Sequence, residues 1–321
     1  MIINMDKFLN VSNLFWRTFK FMARKGMVNW MPDKFYLSLM FRAVTGKRLN
    51  LHEPKYFNEK LQWLKLYDHN PLYTIMADKV KVKEYVASKI GKQYIIPTLG
   101  VWKNVDEVDF DSLPSRFVIK CNHNSGKGMY VCRDKNKMDV SKVHMELRQG
   151  LKENYYIHNR EWPYKDIPRR IIAEQYMEEK TSKNIEDDKL SKVGNLRDYK
   201  FYCFNGVPKL CQVISDRAID EKIDFYNMEW KRLVGLVGLN NKVHNSNQNI
   251  PCPLSFDEMK RCASILSHDI PFSRIDFYDI DGHAYFGEIT FFPAGGFGFF
   301  KPDEWNKITG DWLQLPLKYT R

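Results

Sequence analysis

The sequence lacks the features that mark several large classes of protein. No run of about 18 apolar residues occurs in the 321-residue chain, so no segment is predicted to span a membrane. The six cysteines include no C-x-x-C pair and no zinc-like grouping, which favours reduced thiols. Charged residues interrupt every apolar stretch near the N-terminus, which argues against a secretory signal. We therefore expect a cytoplasmic protein.

Negative charge is also scarce relative to positive charge. Lys and Arg number 50 against 39 Asp and Glu, which gives a formal net charge of +11 and a pI near 9.2. Such a balance favours an anionic partner. The basic residues are dispersed and no nucleic-acid-binding motif is present, so we do not expect nucleic acid. ATP, an acidic polymer and an anionic membrane surface remain candidates.

A predicted hairpin over residues 274–290 carries two acids at similar distances from its turn. Its Asp281-Gly282 pair readily takes the positive φ of a tight turn. Counting outward from that turn places Asp276 and Glu288 on neighbouring strands. Two adjacent carboxylates repel unless a cation lies between them, and Mg²⁺ prefers such oxygen ligands. Taken alone, the stretch also fits a solvated hairpin whose acids face water.

A second pattern is typical of phosphate binding. Lys120 closes a predicted strand, and residues 121–128 form a Gly/Ser-rich loop before the strand resumes at Met129. The loop amides can approach phosphate oxygens, and the lysine supplies a point charge. The loop candidates are Ser125, Gly126, Lys127 and Gly128. The spacing is not that of a P-loop, and a plain hairpin turn is the alternative.

A third hairpin is predicted at Asn205-Gly206. Asp198 and Lys200 are two residues apart on its first strand and therefore share one face. They are either part of a site or a surface ion pair. Arg217 follows its second strand and is a phosphate or substrate candidate.

Helices are predicted over residues 33–42, 57–66, 73–90 and 255–267. Ser255 and Glu258 have the spacing of a capping box at the start of the last one. The basic, aromatic segment 5–30 places Phe8, Phe15, Phe19 and Met22 near one helical face. This pattern favours a helix that covers the body of the protein, with peripheral contact to an anionic membrane as the alternative.

These motifs together resemble the ATP-grasp superfamily in order and spacing. They are Lys79 within Ala77-Asp78-Lys79, Lys120 before its loop, the run 172–177, and the Asp276/Glu288 pair. Within the superfamily, residues 57–63, 120–123, 196–201 and 288–293 resemble the TupA-like branch, which is linked to teichuronopeptide and surface-polysaccharide biosynthesis. The resemblance covers roughly residues 35 to 305.

The resemblance implies an α+β protein with the ATP-grasp fold, in which two α+β lobes clasp ATP. A helical N-terminal region over residues 1–72 would precede an ATP-grasp region over 73–321. Within that region the small nucleotide lobe would span about 101–170 and the larger lobe about 171–305.

The resemblance also implies roles for residues that the patterns alone leave unassigned. Lys79 and Lys120 would face the nucleotide phosphates, and Lys200 the reacting phosphoryl group. Glu174 would meet the exocyclic amine of adenine, with the backbone of Gln175 to Met177 beside the ring. Glu178 or Glu179 would receive the ribose hydroxyls. Thr290 stands at a third metal position, where many members have Asn, which puts a second Mg²⁺ in doubt.

The activity implied is that of an ATP- and Mg²⁺-dependent carboxylate–amine ligase that acts through an acyl phosphate. By the same resemblance, the carboxylate belongs to a uronic acid of a surface polysaccharide or its precursor, and the amine to an amino acid or another amine. A glycosyltransferase and a non-catalytic glycan- or membrane-binding relative are the alternatives.

Overall fold

A computed structural model describes residues 5–178, 196–215, 221–239 and 243–316, with side chains from residue 14 onward. The helices are α1 (Met5–Arg24), α2 (Asp33–Thr45), α3 (Phe57–Tyr67), α4 (Leu72–Ala77), α5 (Lys81–Ile90), α6 (Val140–Lys152), α7 (Tyr156–Asn159), α8 (Phe256–Leu266) and α9 (Glu304–Trp312). The strands are β1 (Thr98–Trp102), β2 (Phe117–Cys121), β3 (Met129–Cys132), β4 (Ile171–Gln175), β5 (Asp198–Phe204), β6 (Val207–Ser215), β7 (Lys222–Tyr226), β8 (Val237–Gly238), β9 (Phe272–Ile280), β10 (His283–Thr290) and β11 (Phe300–Lys301). The α+β class is confirmed. None of the described helices is both long enough and apolar enough to cross a bilayer.

A four-stranded antiparallel sheet has the order β1-β4-β2-β3. Phe117 and Ile119 of β2 and Ile171 of β4 are buried in one cluster with Val143 and Leu147 of α6. This cluster is the core of the smaller half of the molecule. The strand β4, at which the larger lobe was expected to begin, pairs here with β1 and β2.

A five-stranded antiparallel sheet has the order β10-β9-β5-β6-β7. Its core is rich in aromatic rings, such as Phe57 of α3, which packs 4.9 Å from Phe272 and 5.9 Å from Phe204 between ring centroids. Both predicted hairpins of this sheet are confirmed. The central residues of each turn have positive φ, 49° and 80° at Asn205-Gly206 and 53° and 81° at Asp281-Gly282.

The two sheets approach each other through the chain that follows α5. Ile95 forms a β-bridge with Phe286 of β10, and the ring of Tyr94 stacks on that of His283 with centroids 5.8 Å apart. Residues of α4, α5, β2 and β4 therefore face β10 across a cleft.

The first two helices pack on each other and on the body. Phe19 and Ala23 of α1 are buried with Tyr36 and Leu37 of α2, as the amphipathic pattern predicted. Phe15 does not follow that pattern, because its side chain is exposed.

The single helix predicted over residues 73–90 is wrong, because the chain breaks between α4 and α5. The Asp78 carboxylate accepts hydrogen bonds from the Asn122 side chain at 2.7 Å and from the amide of Val80 at 2.9 Å. These bonds hold the backbone out of the helical path and tie it to the end of β2.

The capping box predicted at α8 is also wrong. Ser255 is the N-cap residue but makes no side-chain cap bond. Its hydroxyl donates to Asp279 at 3.0 Å, and Glu258 accepts a hydrogen bond from Tyr94 at 2.7 Å. Both side chains have partners distant in sequence, which a local pattern cannot reveal.

Candidate active site

Asp276 of β9 and Glu288 of β10 pair directly across their hairpin, so their predicted position on neighbouring strands is confirmed. The register shifts by one residue at Gly287. A Cβ at Gly287 would lie only 3.1 Å from the carbonyl oxygen of Asp276. Glycine therefore lets the bulge lie close against β9, which brings Glu288 beside Asp276.

Arg274 connects the two acids. Its guanidinium donates to both carboxylate oxygens of Asp276 at 2.7 Å each, to Oε1 of Glu288 at 3.0 Å and to Oγ1 of Thr290 at 3.1 Å. Arg274 was not predicted as a site residue. The available signal was its position two residues before Asp276, because residues i and i+2 share one face of a strand.

Lys200 of β5 approaches Asp276 from the other side. The two residues are register partners, and the Lys200 ammonium donates to Oδ2 of Asp276. It also lies 3.5 Å from Oδ2 of Asp198. All three residues are buried, which excludes a surface ion pair. The role of Lys200 in phosphoryl transfer stays a prediction.

Positive charge surrounds the carboxylate pair. Burial raises the pKa of Glu288, but nearby basic side chains outweigh burial and lower that pKa to about 2. In order of effect these side chains are Arg274, Lys79, Lys200 and Lys120. Burial also raises the pKa of Asp276, and there Arg274 and Lys200 oppose the shift without reversing it. Glu288 is therefore ionised at neutral pH.

The donor set fits Mg²⁺ that arrives with a nucleotide. In the described parts of the chain, the hydrogen bonds to Glu288 come from Arg274 and Thr290, and both fall on Oε1. Its Oε2 is thus left to coordinate a cation. The described residues include no group of three or more His, Cys, Asp or Glu that could hold a metal ion. Two carboxylates completed by phosphate oxygens are a usual way for proteins to hold Mg²⁺.

Lys79 lies in the break between α4 and α5 and not on an exposed helical face. Its amide donates to the carbonyl oxygen of Asn122 at 3.2 Å, and its ammonium donates to that of Asn124 at 2.6 Å. Burial lowers the pKa of Lys79, while the nearby Glu288 carboxylate opposes that shift. Lys79 thus links the carboxylate pair to the loop that follows β2.

Glu174 of β4 is the centre of a second group of charges. Its Oε1 lies 2.5 Å from the Lys83 ammonium and its Oε2 lies 2.5 Å from that of Lys120. Burial raises the pKa of Glu174, but the two lysines outweigh burial and lower it to about 2. Lys83 also donates to the carbonyl oxygen of Ile96 at 2.6 Å. Lys83 was not predicted, and no local signal marked it, because its partner Glu174 is distant in sequence.

A cleft made of two adjoining pockets lies between the two groups of charges. Lys79, Val82 and Gly287 line both pockets, Glu288 lines the first, and Glu174 lines the second. The end near Glu174 also has apolar walls, which are Ile95, Ile96 and Phe286. Apolar walls beside an ionised acceptor suit a flat heterocycle that carries an amino group, and the lysines between the two ends suit phosphates.

The loop after β2 has an anchored part and an open part. Asn122, His123 and Asn124 are buried, and the Asn124 side chain donates to the carbonyl oxygen of Gly150 at 3.1 Å. Residues 125–127 are exposed. These three residues can therefore approach a ligand.

Gly128 has a packing role in this loop. A Cβ at Gly128 would lie 2.8 Å from the Cα of Gly150. Gly126 differs, since a Cβ there would meet nothing within 4 Å. The glycine at 128 is therefore required by its contact with α6, whereas the one at 126 faces open space.

The segment after β4 is only partly described. The amide of Gln175 donates to the carbonyl oxygen of Pro97 at 3.0 Å, so its N–H already has a partner. Met177 is half-buried two residues further on. Of the two ribose candidates, Glu178 binds the guanidinium of Arg116 at 2.6 and 2.7 Å. Glu179 and the substrate candidate Arg217 lie outside the described residues.

A buried lysine that was not predicted supports the backbone just beyond Thr290. Lys65 of α3 donates to the carbonyl oxygens of Gly295 at 2.5 Å and Asn159 at 2.8 Å. Burial lowers its pKa to about 7 while Glu161 opposes that shift. Gly295 and Gly296 both have positive φ. Lys65 therefore fixes the conformation of the turn that follows the carboxylate hairpin.

A family model and several solved structures match this chain. A family model described as TupA-like ATPgrasp matches residues 59–314. A D-alanine–D-alanine ligase from Helicobacter pylori is 12% identical, with 82% of this chain and 67% of that chain covered and a TM-score of 0.45. A D-alanine–D-alanine ligase from Bacillus anthracis complexed with ATP is 15% identical, with 67% and 53% covered and a TM-score of 0.38. The ATP-grasp ligase PsnB complexed with minimal precursor, Mg and ADP is 10% identical, with 84% and 65% covered and a TM-score of 0.37.

The chain thus spans about half to two thirds of the length of these solved structures. No match was found among curated proteins.

Proposed function

This chain belongs to the TupA-like ATP-grasp family, and on that premise we propose that it is an ATP- and Mg²⁺-dependent ligase that joins a carboxylate to an amine. The observation that carries the proposal is the arrangement of charges in the cleft. Two paired acids, Asp276 and Glu288, lie within a group of basic side chains at one end. Glu174 binds two lysines at the other end.

In this proposal the cleft binds ATP along its length. The Glu174 carboxylate accepts a hydrogen bond from the adenine amino group, and the backbone of Gln175 to Met177 lies beside the ring. Lys79, Lys120 and the amides of residues 125–127 bind the phosphates, whereas the amide of Gly128 already donates to the Glu146 carboxylate at 3.0 Å. Asp276 and Glu288 hold Mg²⁺, which neutralises phosphate charge when it is bound.

The proposed reaction has two steps. An oxygen of the acceptor carboxylate bonds to the γ-phosphorus while the bond from that phosphorus to the bridging oxygen breaks, so ADP leaves. The amine nitrogen then bonds to the acyl carbon, the bond from that carbon to the phosphate oxygen breaks, and the nitrogen loses a proton to solvent. Lys200 and Arg274 donate to the oxygens on which negative charge develops in each step.

We propose a uronic-acid carboxylate of a surface polysaccharide or its precursor as the acceptor, and an amino acid or another amine as the nucleophile. The family to which the chain belongs and its excess of positive charge support an acidic acceptor. We place the reaction in the cytoplasm, where ATP is available. The division into an N-terminal region over 1–72 and an ATP-grasp region over 73–321 is retained as part of the proposal.

Isotope transfer tests this function directly. The protein is incubated with Mg·ATP, glycine and a soluble uronic acid that carries ¹⁸O in its carboxylate. The acyl phosphate route moves one ¹⁸O atom into the released phosphate, because the bond between the acyl carbon and that oxygen breaks in the second step. The variant Glu288→Gln is the matched control and should release no labelled phosphate.

Two results would contradict the proposal. Release of a nucleoside diphosphate from a sugar donor without ATP consumption would identify a glycosyltransferase. Binding of ATP with no turnover across a panel of uronic acids and amines would identify a non-catalytic relative.

A further inference from the structure

The described surface has an unusual concentration of exposed aromatic side chains near the N-terminus. Among the residues that the structure describes, every exposed Phe and Trp lies between residues 15 and 35. They are Phe15, Phe21, Trp30 and Phe35. Trp30 is 78% exposed and Phe35 is 66% exposed. Aromatic rings of this size are usually buried, so a cluster of exposed ones marks an interaction surface.

The outer face of α1 combines apolar and basic side chains. A helix turns about 100° per residue, so Leu14 and Phe21 project from the side opposite the buried Phe19. The basic residues of that outer side are Arg17, Arg24 and Lys25. Phe19 attaches the helix to the body, which leaves its opposite side free for another partner.

Charge identifies the kind of partner. Residues 14–32 contain four basic residues and no acid. The first acid after them, Asp33, accepts hydrogen bonds from the Tyr156 hydroxyl and lies 3.5 Å from Nε of Arg160. Its charge is therefore compensated by the body of the protein, and the charged side chains of residues 14–32 are all basic.

We propose that this surface, formed by Leu14, Phe21, Met27, Trp30 and Phe35 with their neighbouring basic residues, binds the surface of an anionic membrane. Trp and Phe side chains partition into the interfacial region of a bilayer, and Lys and Arg bind anionic head groups. A second copy of the chain fits less well, because two such surfaces would bring like charges together. The inference does not depend on the proposed function.

Vesicle sedimentation with the full-length chain tests this inference. The expected result is that the protein pellets with phosphatidylcholine vesicles containing about 30% phosphatidylglycerol and not with pure phosphatidylcholine vesicles. Each basic side chain near such a surface contributes roughly fivefold to partitioning. The variant Arg17→Gln/Arg24→Gln/Lys25→Gln should therefore bind about a hundredfold more weakly.

A second variant tests the aromatic contribution, and a third is its matched control. Trp30→Ser/Phe35→Ser should lose vesicle binding, while its circular dichroism spectrum and melting temperature stay the same because both side chains are exposed. Val234 and Leu254 are 80% and 88% exposed elsewhere on the protein. Val234→Ser/Leu254→Ser should bind vesicles as the unchanged protein does.

Three results would overturn the proposal. They are equal pelleting with both kinds of vesicle, equal binding by the Trp30/Phe35 variant and its control, and absence of binding at low salt. If sedimentation velocity instead shows a dimer that the Trp30/Phe35 variant loses, the surface joins two copies of the chain.

Discussion

The pairing of Glu174 with two lysines predicts a specific dependence of stability on pH. The pKa of Glu174 in the folded protein is about 2, compared with about 4.3 for a glutamate in an unfolded chain. A depressed folded-state pKa means that the ionised carboxylate stabilises the fold. That stabilisation is fully present above about pH 5 and is lost as the pH falls toward 2.

The size of the effect follows from the pKa difference. One unit corresponds to 1.36 kcal/mol, so ionised Glu174 contributes about 3 kcal/mol at neutral pH. The group is buried, as is required for a contribution of this size. Between pH 5 and pH 3 the contribution falls by about 2 kcal/mol, because the unfolded chain binds the proton there while the folded protein does not.

The variant Glu174→Gln removes this titration and leaves the shape of the side chain almost unchanged. Urea unfolding followed by circular dichroism gives the free energy of unfolding of both proteins at pH 5 and pH 3. We expect the difference in that free energy to shrink by about 2 kcal/mol at the lower pH. Glu53→Gln is the control, since Glu53 is exposed, and its difference should not change with pH.

A Glu174→Gln difference that stays constant between pH 5 and pH 3 would refute this reasoning. Lys83→Met adds a second check. It removes one of the two lysines that bind Glu174, so acid should destabilise this variant less than the unchanged protein. Lys81→Met, on the exposed side of the same helix, should respond to acid as the unchanged protein does.

Three further predictions follow from the site and its support. Glu288→Gln should lower ligase turnover by at least about a hundredfold and leave the circular dichroism spectrum unchanged. Asp276→Asn is a less clean test, because it leaves the buried Lys200 and Arg274 without their counter-charge. Hydrogen exchange should slow at residues 125–127 when Mg·ATP binds, whereas the buried Asn124 should already exchange slowly without it. Unchanged exchange rates at residues 125–127 would exclude these residues from phosphate binding. Lys65→Met should reduce the free energy of unfolding by about 3 kcal/mol in urea, because it leaves the carbonyl oxygens of Gly295 and Asn159 without their donor, and a loss below about 1 kcal/mol would contradict that supporting role.

The parts of the fold that were predictable from sequence depend on local chemistry. Asn205-Gly206 and Asp281-Gly282 form tight turns because each pair accepts positive φ, so each hairpin could be predicted from its turn. Counting outward from the second turn gave the correct neighbouring strands for Asp276 and Glu288. The exact pairing was not predictable in this way, because the bulge at Gly287 shifts the register and sets Glu288 opposite Asp276.

The parts that were not predictable depend on partners distant in sequence. The helix over 73–90 breaks because Asp78 binds Asn122, which lies 44 residues further along the chain. The capping box at Ser255 is absent because Asp279 competes for the hydroxyl. Lys83 could not be assigned because its partner, Glu174, is distant in sequence. Glu174 lies on β4, and only the fold brings this strand close to Lys83.

Arg274 shows how a correct electrostatic argument missed a residue. Two adjacent carboxylates require a cation, and from the sequence this cation was taken to be Mg²⁺ alone. The structure places the Arg274 guanidinium and the Lys200 ammonium on Asp276. Glu174 likewise binds Lys83 and Lys120.

These internal pairs have a consequence for how Mg·ATP binds. An unpaired charge in the cleft would be costly, and in the described structure the acids and bases satisfy one another. In the proposed function, Asp276 and Glu288 would hold Mg²⁺, the ion would carry the compensating charge, and the basic side chains would become available to the phosphates. Binding of Mg·ATP would then be an exchange of ion pairs, in which neither state leaves a buried charge alone. The same exchange would bring Lys200 and Arg274 to the phosphoryl group only with the metal–nucleotide complex bound, which would limit phosphoryl transfer to the loaded site.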